Sequence, residues 1–211
     1  MDKKKVLIIT YYWPPAGGPG VQRWLKFIKY LPDFNIEPIV YVPSKQGVME
    51  RLMLFVRGNF FIPDARKKWI KPSVYYLSTY IRDYSIDTII TTGPPHSLHL
   101  IGEQLKHKLD ILWVADFRDP WTTIGYHKKL RLLPRAKKKH KELESKVLNS
   151  ADKIIVTSNN TKLNFATLTK QPIEVITNGY DYESVASVEL DEKFSISHIG
   201  SLLSDRNPEV L

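Results

Sequence analysis

Two periods of apolar and polar residues take turns along this chain, and their succession predicts the fold. Residues 6–10 form a short, β-rich apolar run with no polar face, as in a strand covered on both sides. A turn-rich stretch from Trp13 to Gly20 follows, and then apolar residues fall at Val21, Trp24, Leu25, Phe27, Ile28 and Leu31, the spacing of one helix face. Residues 36–42 read as a second strand, which Pro38 places at a sheet edge or early in the strand. The same logic predicts helices over 72–84, 96–108, 136–148 and 160–168, and strands over 87–91, 111–115, 153–157 and 174–176. Strands alternating with helices imply an α/β fold, with a parallel sheet covered by helices on both faces. In such sheets ligands bind beyond the carboxyl ends of the strands, where the loops gather.

The alternation breaks after Asp181. Residues 182–193 are polar and aperiodic, as in a linker, and 194–199 read as one more strand before a turn over 200–206. This divides the chain into a first domain over 1–181, a linker over 182–193, and the opening of a second domain over 194–211.

Composition narrows the classes. Hydrophobic residues make up 43% and charged residues 25%, ordinary for a globular protein, and no apolar run approaches the length that spans a bilayer. The opening MDKKKVLIIT stops too soon at YYWPP to serve as a signal peptide. Without cysteine there are no disulfides, no thiolate catalysis and no thiolate-held metal, which fits a cytoplasmic location. The net charge of +9 suits an anionic partner. Most of it comes from the stretch 126–146, whose nine Lys or Arg face two Glu, a formal excess of +7. With Tyr126, Leu130, Leu132 and Leu133 beside it, the segment between Lys128 and Lys146 fits an anionic membrane surface; the plainer alternative is a solvated helix face. No nucleic-acid-binding module accompanies the charge.

Three clusters at strand ends could carry chemistry. Gly17, Gly18 and Gly20 lie between the first strand and its helix, where backbone amides at a helix N-terminus suit a phosphate or a sugar hydroxyl. The plain alternative is a turn with special dihedrals. The dinucleotide fingerprint is absent, since Arg23 stands where its third glycine belongs. His96 follows Thr92-Gly93-Pro94-Pro95 at the sheet's carboxyl edge, as a capping residue or an acid–base group. Asp116-Phe117-Arg118-Asp119-Pro120-Trp121 places two acids around an arginine. Arg118 could meet a phosphate, Asp116 and Asp119 could take a sugar hydroxyl, and Trp121 could stack on a sugar ring; a structural ion pair is the alternative.

In order and spacing these segments resemble the N-terminal, acceptor-binding domain of glycosyltransferase family 4-like enzymes. The matches are residues 6–20, Asp116 to Trp121, and Ile176-Thr177-Asn178-Gly179-Tyr180-Asp181, similar to the family's I-x-N-G-V-D element with Tyr180 in place of Val. His198-Ile199-Gly200-Ser201 and Arg206 look like the opening of the donor domain. The resemblance implies a Rossmann-like domain forming the N-terminal half of a GT-B fold, and a retaining, metal-independent hexosyl transfer with no cofactor beyond a nucleotide-sugar donor. It implies a cell-surface glycan or lipid-linked acceptor and no activity without the donor domain; the basic stretch between Lys128 and Lys146 adds the expectation of a cytoplasmic enzyme peripheral on the inner face of the membrane. On it, Gly17, Gly18 and Gly20 approach the donor, Asn178 and Gly179 sit near the hinge, Arg206 meets the diphosphate, and Asp119, Asp116 and His96 orient the acceptor. The chain departs from the pattern at Arg118, where many relatives have a sugar-binding His, at Ser201, where Arg is usual, and at Arg206, where Lys is usual. Two other classes stay open: a nucleotide- or NAD-binding oxidoreductase domain, and a basic, non-catalytic module for membrane or nucleic acid.

Overall fold

The protein is described by a computed structural model that covers residues 3–15, 18–42, 58–123 and 132–179, together with Lys193. The chain divides into two units, Met1–Gly179 and Tyr180–Leu211. The expected strand over 194–199 and the turn after it lie outside the described residues.

The first unit is a six-stranded parallel sheet in the order β2-β1-β3-β4-β5-β6. Its strands are β1 (Lys4–Ile9), β2 (Ile36–Tyr41), β3 (Thr88–Gly93), β4 (Leu112–Phe117), β5 (Lys153–Val156) and β6 (Ile173–Val175). The helices are α1 (Pro19–Tyr30), α2 (Ile70–Asp83), α3 (Ser97–Leu109), α4 (Pro134–Ser150) and α5 (Asn159–Ala166). Each element expected before residue 180 is present, and β2 lies at the sheet edge, as Pro38 suggests.

Period-two burial explains why β1 is apolar throughout. Val6 and Ile8 pack with Trp24 of α1, whereas Leu7 and Ile9 join the larger core built with α2, α3, α4 and α5. Helices therefore cover both faces of the sheet.

Two strands run further than their apolar pattern suggests. Pairing of β3 with β4 continues through Thr92↔Asp116 and Gly93↔Phe117, so Asp116 is a strand residue rather than a loop residue. A charged side chain is tolerated there because both of its buried oxygens find donors. A third departure is the start of α3. His96, the residue before it, makes no side-chain capping bond; Asp64 reaches in from a distant loop to accept from the Ser97 amide (2.8 Å) and hydroxyl (2.9 Å). Burial raises the Asp64 pKa, against the opposing effect of those bonds.

Candidate functional site

Where α1, β3, β4 and β6 reach the carboxyl edge of the sheet, the sequence clusters come together. Gly18 caps α1 with φ 111°, a left-handed value that strains any L side chain, and Pro19 opens the helix. The α1 N-terminus carries no side-chain cap bond and no acidic residue in its first turn. The partial positive charge of its dipole is thus unopposed from within that turn. Gly17 and Arg206 lie outside the described residues.

Arg118 crosses this edge. Its amide (3.0 Å) and Nε (3.3 Å) both donate to the Gly93 carbonyl, Nη2 donates to the Pro94 carbonyl, and its own carbonyl accepts from Thr157 Oγ1 at 2.9 Å. The guanidinium lies against the first turn of α1, so close that a Cβ on Gly20 would stand 1.4 Å from Nη1. Glycine at position 20 is what admits the arginine. Burial lowers the Arg118 pKa, and the neighbouring charges of Asp116 and Asp119 oppose that shift. Asp119 itself is exposed, and among the described residues its carboxylate makes no hydrogen bond or ion pair.

Asp116 points the other way. It is fully buried: Oδ1 accepts from Arg23 Nη2 at 3.2 Å, and Oδ2 accepts from Trp24 Nε1 at 3.0 Å and Thr92 Oγ1 at 2.8 Å. Arg23, equally buried, donates onward through Nη1 to the Thr177 carbonyl (3.0 Å) and Asn178 Oδ1 (3.2 Å). With both oxygens engaged by internal donors and none of the side chain exposed, the carboxylate is out of reach of a substrate hydroxyl. The expected acceptor-orienting role of Asp116 is corrected on this ground to that of a buried counter-ion.

Trp121 is likewise turned inward. It has no exposed surface, stacks on His96 (centroids 4.6 Å apart, 4° between planes) and donates through Nε1 to His140 Nδ1 at 3.1 Å. The sugar-stacking expectation for Trp121 is corrected accordingly: both the ring and its N–H are already engaged inside the fold. His96 is buried with it, retaining 9% exposure. Behind it His99 stacks on Phe117 at 4.2 Å and shares a 2.8 Å hydrogen bond between Nδ1 and Thr91 Oγ1. Complete burial, reinforced by the charge of Arg118, pushes the His99 pKa down to about 3, so the ring is neutral. Asn178 and Gly179 are exposed at the end of the unit, and Gly179 has open space where a side chain would go.

Sequence reasoning passed over Arg23, Asp64, His99 and His140. Only Arg23 left a trace, a charge flanked by buried Val21 and Trp24 on the apolar side of α1.

The basic helix α4 hides Ala136, His140, Glu144, Val147 and Leu148 and exposes Arg135, Lys137, Lys138, Lys139, Lys141 and Lys146. Glu144 is tied down by the Thr122 amide (3.0 Å) and hydroxyl (2.5 Å), and Lys146 pairs with buried Glu103 of α3 at 2.8 Å. Beside α4 opens a cleft of about 630 Å³ that brings Phe60, Ile62 and Leu133 together with Arg135, Lys138 and Lys139. Lys128 lies outside the described residues. Among the described residues no helix is long and apolar enough to cross a membrane, and no three His, Asp or Glu gather to hold a metal ion.

The fold is shared with solved structures. Sucrose-phosphate synthase from Thermosynechococcus elongatus is similar, with TM-score 0.57 and 18% identity over 83% of this chain and 48% of that one. A UDP-N-acetylglucosamine 2-epimerase gives TM-score 0.54 at 16% identity, covering 83% and 48% of the two chains. The S. aureus MnaA–UDP complex gives 0.52 at 15% identity, covering 82% and 43%. This chain thus spans less than half the length of each. No curated protein matches it at a significant level. The model of Glycosyltransferase Family 4 matches residues 20–184, from the first turn of α1 past the described end of the first unit, and the chain therefore belongs to that family.

Proposed function

We infer that this chain is the acceptor-side half of a glycosyltransferase that moves a sugar from a nucleotide-sugar to a glycan or lipid-linked acceptor and retains the donor's anomeric configuration. The observation that carries the reading is the family match over residues 20–184, joined to the carboxyl-edge cluster of Gly18, Gly20, Arg118 and Asp119. As the donor loses its diphosphate, the sugar gains oxocarbenium character and negative charge gathers on the leaving group. The uncapped α1 N-terminus is suited to that charge without any metal, and Gly18 lets a phosphate approach the backbone. Asp119, exposed and without an internal partner among the described residues, orients the acceptor hydroxyl; orientation lowers the barrier by removing rotational freedom before reaction. His96, which keeps 9% of its surface exposed, is a lesser contributor. Asn178 and Gly179 lie where the chain leaves for the donor domain, which supplies the rest of the nucleotide site, Arg206 included.

The exposed cations of α4 and the apolar rim of Phe60 and Leu133 support contact with an anionic membrane on its cytoplasmic face, where a lipid-linked acceptor would be met. The family match and the missing dinucleotide fingerprint leave the NAD-binding reading without support.

The test uses the complete protein, incubated with a panel of nucleotide-sugars with and without membrane lipid extract and assayed for released nucleotide. Release requiring one donor and the extract is expected. In that assay Asp119→Asn loses about two orders of magnitude in kcat while its melting temperature is unchanged, because an exposed side chain holds little of the fold. Wild-type turnover by Asp119→Asn removes the site assignment; no release with any donor removes the transferase reading.

A further inference from the structure

Arg23 sits in the second turn of α1, yet its guanidinium binds three acceptors in two other segments of the chain. Nη2 holds Asp116 Oδ1 of β4 at 3.2 Å, and Nη1 holds the Thr177 carbonyl at 3.0 Å and Asn178 Oδ1 at 3.2 Å. Its Cζ stands 4.8 Å from the Phe27 ring centroid, and Nε, buried, has no hydrogen-bond partner among the described residues. Thr177 and Asn178 are exposed, and the unit ends one residue later at Gly179. Beyond the Ile176 amide bond to the Val156 carbonyl (2.9 Å), the side-chain hydrogen bonds that hold this exit among the described residues come from Arg23.

The geometry points to Arg23 as a positioning residue for sugar transfer: it fixes the chain's exit from the acceptor half to the helix that follows the glycine-rich loop. The inference rests on the transferase reading and deepens it. A planar fork can grip a carboxylate with one nitrogen while its neighbour grips a carbonyl and an amide oxygen; an ammonium on a flexible stem has no such fixed fork. Burial excludes water from competing for the two nitrogens, so the grip is rigid. Asp116 is anchored in turn by Trp24 and Thr92, which makes the arginine's own position a property of the sheet. A loosened exit would leave the donor half's point of attachment undefined relative to the α1 N-terminus. Transfer needs the reacting groups held within a fraction of an ångström, so kcat falls rather than ground-state binding.

The test has two readouts. In this chain, hydrogen exchange of the Ile176 amide, which is bonded to the Val156 carbonyl, is compared between wild type and Arg23→Lys, which keeps a cation for Asp116 but not the fork. Exchange there is expected to accelerate by about tenfold or more while β1, β3 and β4 stay within about twofold. Unchanged exchange at Ile176 overturns the proposal. If Arg23→Lys loosens the whole sheet, Asn178→Ala decides, since it leaves the Arg23–Asp116 pair intact: faster exchange confined to the exit supports the tether, and none overturns it. In the complete enzyme Arg23→Lys is expected to lower kcat about tenfold with the donor KM within about twofold. A loosened exit with wild-type kcat reduces Arg23 to a structural residue and overturns its part in transfer. Should wild type turn over no donor at all, the transferase reading fails, while exchange still decides the tether.

Discussion

Replacing Asp116 by Asn separates a structural carboxylate from a catalytic one. The side chain keeps its volume, so no cavity arises; what changes is charge and the number of acceptors. In the native protein the two oxygens receive Arg23 Nη2, Trp24 Nε1 and Thr92 Oγ1 at 3.2, 3.0 and 2.8 Å. An amide offers one oxygen. With its NH2 group toward Arg23, donor faces donor; with it toward Trp24, the indole N–H loses its acceptor and only the threonine hydroxyl can turn. In either orientation the buried guanidinium loses its counter-ion, and breaking one side of a buried pair costs about 3–5 kcal/mol. For a domain of this size each kcal/mol moves Tm by about 2–4 °C, so a fall on the order of 10 °C follows. Thermal unfolding and urea titration of this chain measure it. A Tm within about 2 °C of wild type, which corresponds to less than about 1 kcal/mol, refutes the reasoning. If such a stable variant were also inactive in the complete enzyme, Asp116 would be restored as a group acting on substrate.

Gly102→Ala is expected to destabilise by about 1–3 kcal/mol, although alanine is the better helix former by about 1 kcal/mol, because its Cβ would stand 2.5 Å from Trp113 Nε1 and 2.7 Å from Thr91 Cγ2. A urea midpoint at or above wild type contradicts this. His99 makes stability depend on pH: its folded pKa, pushed down to about 3, lies below the ordinary value of 6.5, so its contribution is full above 6.5 and is lost as pH falls toward 3. Between pH 7 and 5 the loss is about 2 kcal/mol. His140, lowered by burial, has the same sign, and Asp64, raised by burial, the opposite one, so the measurement is the difference between wild type and His99→Phe, in which both cancel. A difference that does not change with pH overturns the assignment.

Most of the architecture can be read from local pattern. An apolar β1 without alternation, helical stripes in α1 and α2, and Pro38 on an edge strand each follow from what one element must bury, and burial of one element is written in its own residues. The order of the clusters at strand ends likewise sufficed for the family. The direction of each side chain at those ends was another matter. Asp116 and Asp119 are three residues apart in one motif, yet the first is sealed beneath α1 and the second faces solvent. What sends Asp116 inward is Arg23, 93 positions earlier, and what commits Trp121 to the interior is stacking on His96 and a bond to His140. Asp64 caps a helix that begins 33 residues later. A buried charge or ring is stable only beside partners that saturate it, and those partners meet only when the sheet assembles, so no window along the chain contains them.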